Sequence, residues 1–163
     1  FSYKKDYVSY QAQTTALGSP LSYGITFAML LAGKFEVWTD IQINEIGWLP
    51  IELAWHPYFS APRGANIKLS GNPKIISVRG SFGPKIFKIS GNNIIRIELP
   101  TVGEVMIFLK GDFRDKYVCI WTDWLGPYVC VEPLISHPRD FLKKNGEKMD
   151  HQNPIKAGFA IDC

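Results

Sequence analysis

Apolar and polar residues alternate with a period of two along much of this chain, and turn-forming residues interrupt the alternation at short intervals. Phe35–Ile43 (FEVWTDIQI), Ile51–His56 (IELAWH), Ile94–Leu99 (IIRIEL), Glu104–Leu109 (EVMIFL), Tyr117–Trp121 (YVCIW) and Tyr128–Glu132 (YVCVE) all carry the pattern. They are short and rich in β-branched and aromatic residues, as strands with a buried face are. Between and around them stand Gly18-Ser19-Pro20, Gly47, Gly71-Asn72-Pro73, Gly83-Pro84, Gly91-Asn92-Asn93, Gly111-Asp112, Gly126-Pro127 and Asn145-Gly146. These residue types suit the special backbone angles of turns. About a dozen strands are predicted on this spacing. The one helix candidate is His137–Asn145 (HPRDFLKKN), with proline suited to its first turn and basic residues near its end. An all-β sandwich is the architecture that such a series favours. No fixed-period repeat, linker or boundary divides the 163 residues, so one domain over residues 1–163 is expected.

Composition narrows the function classes. With 46% hydrophobic and 13% aromatic residues the chain can bury a core, which excludes disorder. The net charge of +3 comes from lysines and arginines scattered among acids, with no concentrated basic face of the kind that nucleic acid or an anionic membrane requires. The longest apolar run, Phe27–Ala32, is too short to cross a bilayer as a helix, and the start of the chain lacks a signal-peptide layout. Cys119, Cys130 and Cys163 show neither a disulfide framework nor metal-binding spacing. They read as thiols in a reducing cytoplasm. The sequence opens on Phe1 and not on methionine, so removal of an upstream segment is expected.

Two ionisable residues stand out by position. If Ile51–His56 is a strand, Ile51, Leu53 and Trp55 point one way and Glu52, Ala54 and His56 the other. Pro57 cannot donate to a ladder, so the strand is expected to stop there, with His56 at a sheet end. In Tyr128–Glu132, Tyr128, Cys130 and Glu132 share a face, and Pro133 is expected to stop that strand just after the carboxylate. A histidine and a glutamate in one cleft make a proton-transfer pair that needs no metal or cofactor. Taken singly, each has a structural reading too: a hydrogen-bonded strand-end imidazole, a solvated strand glutamate.

ELAWHPYF followed by YVCVEP resembles the motifs of the aldose 1-epimerases, the galactose-mutarotase-like family. The flanking segments also resemble that family. FEVWTDIQINEIGWLPIELAWHPYF is similar to a hairpin leading to the histidine strand, LKKNGEKM to the turn before the last strand, and KAGFAIDC to the last strand itself. The resemblance implies a β-supersandwich and an enzyme, an isomerase that interconverts the α and β anomers of a hexose. It implies Glu132 as the base on the C1 hydroxyl and His56 as the acid on the ring oxygen. Tyr58 is a candidate to line the sugar pocket. Asp123 is preferred to Asp112 as a sugar-binding acid, with Trp121 and Trp124 nearby to stack on a sugar face.

The family's chains are longer, and residues 1–34 match it weakly, as a remnant of a larger N-terminal part would. A sheet lacking partner strands exposes edges and apolar faces, so a homodimer or association with the missing N-terminal segment is expected. Two further functions stay open. A hexose-6-phosphate 1-epimerase needs a cationic phosphate site, for which Arg63, Arg79, Arg96 and Arg114 are scattered candidates. A non-catalytic carbohydrate-binding domain on the same fold could dispense with proton transfer.

Overall fold

The structure is a computed structural model and describes residues 6–16, 18–29, 33–61, 64–100, 103–123, 126–142 and 148–162. The strands are β1 (Asp6–Ala16), β2 (Ser19–Met29), β3 (Phe35–Ile43), β4 (Trp48–Pro50), β5 (Tyr58–Ser60), β6 (Asn66–Leu69) and β7 (Asn72–Ser77), then β8 (Phe82–Lys88), β9 (Ile94–Leu99), β10 (Gly103–Gly111), β11 (Tyr117–Thr122) and β12 (Tyr128–Leu134). The short helix α1 (Pro138–Leu142) and strands β13 (Lys148–Asp150) and β14 (Ile155–Asp162) follow. The fold class is all-β, a β-supersandwich as expected. Of the predicted helix, residues 138–142 are helical and 143–145 lie outside the described residues.

Eight strands form one antiparallel sheet in the order β1-β2-β3-β14-β10-β9-β6-β7, and four form a second in the order β5-β12-β11-β8. A contiguous apolar cluster joins them. The large sheet contributes Val37, Ile41, Ile95, Ile97, Ile107 and Phe159, and the small one Val118, Ile120, Val129 and Val131. Burying a side chain of this size is worth about 1.5–3 kcal/mol. In β11 and β12 the alternation therefore turns Val118, Ile120, Val129 and Val131 to the core. It leaves Cys119, Trp121, Tyr128, Cys130 and Glu132 on the opposite face.

The predicted strand Ile51–His56 is corrected. Ala54 makes a single bridge to Leu134, and the ladder resumes only at β5, where Tyr58, Phe59 and Ser60 pair with Cys130, Val129 and Tyr128. Nor does Pro133 stop its strand, since β12 runs through it to Leu134. Both departures have one cause. Along this edge Val131 donates to the Pro57 carbonyl at 3.2 Å and Ile135 to the Leu53 carbonyl at 3.2 Å, while Trp55 donates to the Pro133 carbonyl at 3.3 Å. Pro133 and Pro57 lack the N–H groups that would return bonds to the Trp55 and Val131 carbonyls, so both gaps fall between β12 and residues 53–57 and leave a bridge in place of a strand. The bridge and β5 nevertheless share one register, which sets His56 against Glu132 and Glu52 against Ser136.

Trp55 holds this segment down from the core side. Its indole donates to Thr39 Oγ1 at 2.9 Å, and its ring meets Phe27 and Phe159 edge-on. The hairpin that the family resemblance implies between Phe35–Ile43 and the following strand is not formed. β3 pairs with β2 and β14, whereas β4 pairs with β13. At the far end of the large sheet, β1 and β2 pair along their full length, yet Val8 is 71% and Met29 57% exposed.

Candidate active site

His56 and Glu132 meet. His56 Nε2 lies 3.2 Å from Glu132 Oε1, the imidazole largely in solvent and the carboxylate buried. Two further groups converge on the same oxygen: Trp121 donates its indole N–H, and the Cys130 thiol donates from 3.3 Å. Cys130 Sγ is also 3.5 Å from His56 Nδ1, so the thiol touches both members of the pair. A carboxylate below the surface needs such partners, because unpaired burial of a charge is costly.

The pairing follows from the strand register. Trp121 is the direct partner of Cys130 across β11–β12, and Glu132 faces Cys119, so the carboxylate sits between the indole and the two thiols. Burial, the hydrogen bond to Glu132 and the charge of Glu132 all push the Cys130 thiol well above the ordinary range for cysteine. Cys119 is pushed up to about 11, first by burial and then by Glu132. Cys119 and Cys130 are both buried and free; Cys163 lies outside the described residues.

Aromatic rings wall the pair. The Tyr58 ring lies 6.1 Å from His56 and 5.9 Å from Trp121, and meets Tyr128 edge-on at 5.2 Å, all within the range of favourable ring contacts. A hydrogen bond to Asp123 is the first cause raising the Tyr128 phenol to about 12. Tyr58 is raised as well, by burial first and then by the charges of Cys130, Glu132 and Asp123. A cavity of about 270 Å³ lined by Thr122, Asp123, Gly126 and Tyr128 adjoins this end of the wall. A larger groove of about 690 Å³ lies elsewhere, against β1–β3, and none of these groups lines it.

The structure thus brings His56, Glu132, Tyr58, Trp121 and Asp123 to one neighbourhood. Asp112 is elsewhere, accepting the Lys156 N–H at 2.6 Å between β10 and β14. Trp124 lies outside the described residues. Trp121 differs from its expected part: its N–H is committed to Glu132, so it orients the carboxylate as well as offering a ring. Cys130 and Tyr128 are neighbours that the sequence reading does not single out, although both share the Glu132 face in the alternation. Of the arginines, Arg96 is on β9 in the other sheet and pairs with Glu104 at 2.6 Å, and Arg63 lies outside the described residues.

No protein-family model matches the sequence. Curated proteins likewise yield no match. Solved structures do match. A protein of Escherichia coli K12 proposed to be an aldose 1-epimerase superposes with a TM-score of 0.76 at 14% identity, over 96% of this chain and 65% of that one. The chain has the aldose 1-epimerase fold. The Slr1438 protein of Synechocystis sp. PCC 6803 aligns with a TM-score of 0.79 at 11% identity, over 99% of this chain and 64% of its own. The GalM/aldose epimerase homologue of C. elegans aligns with a TM-score of 0.68 at 6% identity, over 96% of this chain and 65% of its own. The present chain therefore spans less than two thirds of the length of these aldose 1-epimerase-fold chains. Among the described residues no helix is long and apolar enough to cross a membrane.

Proposed function

We propose that the chain carries an aldose 1-epimerase site, with a hexose as substrate, Glu132 as base and His56 as acid. The observation that carries this reading is the 3.2 Å approach of His56 Nε2 to Glu132 Oε1 beneath an aromatic wall. In a cyclic hexose the anomeric hydroxyl and the ring oxygen are both bonded to C1, so an acid and a base acting on them must be neighbours.

Glu132 takes the proton of the C1 hydroxyl while His56 gives one to the ring oxygen, and the C1–O5 bond opens to the aldehyde. Rotation about C1–C2 presents the other carbonyl face. Ring closure returns both protons with the roles exchanged. Mutarotation already runs in water, so positioning two proton carriers is sufficient catalysis. Trp121 and Cys130 keep the carboxylate turned toward its task, and Tyr58, Tyr128 and Asp123 offer a rim for the sugar. The buried free thiols Cys119 and Cys130 suit the cytoplasm.

The test is polarimetry or NMR of freshly dissolved α-glucose and α-galactose. Wild type is expected to accelerate mutarotation, and His56→Ala and Glu132→Gln each to lose at least about 100-fold of that acceleration. Variants as fast as wild type would remove the assignment. Sugar binding without acceleration would leave a carbohydrate-binding module.

A further inference from the structure

The three groups that meet at the pair are a nitrogen, a sulfur and a carboxylate oxygen, and one ligand atom from each of His56, Cys130 and Glu132 lies within 4.8 Å of the other two. We propose that these residues also bind a zinc ion, and that the bound metal switches the site off. Zinc holds sulfur at about 2.3 Å and nitrogen or oxygen at about 2.0–2.2 Å, so its ligands in a tetrahedron stand about 3.3–3.7 Å apart. Two edges stand close to this range: 3.2 Å from His56 Nε2 to Glu132 Oε1 and 3.3 Å from Cys130 Sγ to the same oxygen. Rotation of the exposed imidazole closes the third. The fourth position faces solvent on the His56 side, because Cys130 and Glu132 are buried and His56 is 57% exposed.

Charge favours the ion as well. Zn²⁺ replaces the proton of the Cys130 thiol, which leaves to solvent as the zinc–sulfur bond forms. The neutral imidazole, the thiolate and the carboxylate then sum with the dication to zero. A thiolate and imidazole select zinc over magnesium or calcium, which prefer oxygen. On the epimerase reading, the occupied site has neither a free imidazole to give a proton nor a free carboxylate to take one, so zinc inhibits.

The experiment uses the full chain, with cobalt(II) as spectroscopic probe and zinc in competition with a chromophoric chelator. Expected is a sulfur-to-cobalt charge-transfer band that zinc abolishes. Cys119→Ser keeps it, and Cys130→Ser loses it together with at least about 10-fold of zinc affinity. Should Cys130→Ser fail to fold, His56→Ala at the exposed position is expected to weaken zinc by a similar factor. No band in wild type, or a band and affinity unchanged in the foldable variants, overturns the proposal. Mutarotation measured with chelator separates the two readings. Acceleration without a band leaves the epimerase and removes the metal site; a Cys130-dependent band without acceleration does the reverse.

Discussion

Strands β12 and β1 alternate in much the same way and end in opposite surroundings. In β12 the residues after Tyr128 are buried on both faces, whereas β1 has exposed residues on both, Val8 and Tyr10 on one side and Tyr7 and Gln11 on the other. Period two therefore reports a strand without saying whether anything covers it. The polar groups show the difference. Glu132 in β12 is met by Trp121, Cys130 and His56, while Gln11 and Gln13 in β1 have water and need no such arrangement. A buried carboxylate with converging partners is informative where an exposed glutamine is not.

Truncation should separate the two regions most. Ile120→Ala, in β11 beside β12, is expected to cost about 2–5 kcal/mol by urea denaturation. Met29→Ala, on β2 beside β1, should stay within about 0.5 kcal/mol. Similar losses at both would show that the hairpin face is covered in solution. Thiol chemistry sharpens the contrast next. With Cys119 raised to about 11, alkylation of the native protein at pH 8 is expected to be at least about 100-fold slower at this thiol than in denaturant, and slower still at Cys130. Peptide mass spectrometry after timed iodoacetamide treatment reads both sites, and equal native and denatured rates would mean that the site sheet opens readily.

The smallest effect concerns Glu52, an exception on the well-covered side. Ser136 donates to its Oε2, but Oε1 is buried without a hydrogen-bond partner, and burial raises its pKa above the usual carboxylate value. A raised folded value means that the native state holds this proton more tightly than the unfolded one. Its contribution is full below about 4.5 and declines as pH rises through the folded value. Glu52→Gln should therefore raise Tm by about 1–3 °C at pH 7 and leave it unchanged at pH 4, in paired thermal melts. A gain of the same size at both pH values would assign the effect to packing.

Much of the site is written in the alternation. It puts Tyr128, Cys130 and Glu132 on one face and His56 on the outer side of its segment, and both placements hold. What it does not carry is pairing. Whether Pro133 ends β12 or merely leaves a gap depends on which neighbour its missing N–H faces, and that neighbour is distant in sequence. The family resemblance makes Trp121 a candidate sugar platform beside Asp123. Its commitment to Glu132 appears only once β11 is set beside β12. The hairpin implied after Phe35 fails for a similar reason: β13, from near the far end of the chain, takes β4 in its place.

The shared register of residues 54–60 with β12 has a consequence for the order of assembly. β11 and β12 are sequence neighbours, so Trp121, Cys130 and Glu132 can come together by local closure. His56 and Cys130 are 74 positions apart, and bringing the imidazole in requires one long loop to close. A refolding chain is thus expected to set the Glu132 carboxylate before the His56 imidazole. On the proposed epimerase reading, return of mutarotation would time the slow, non-local half of folding.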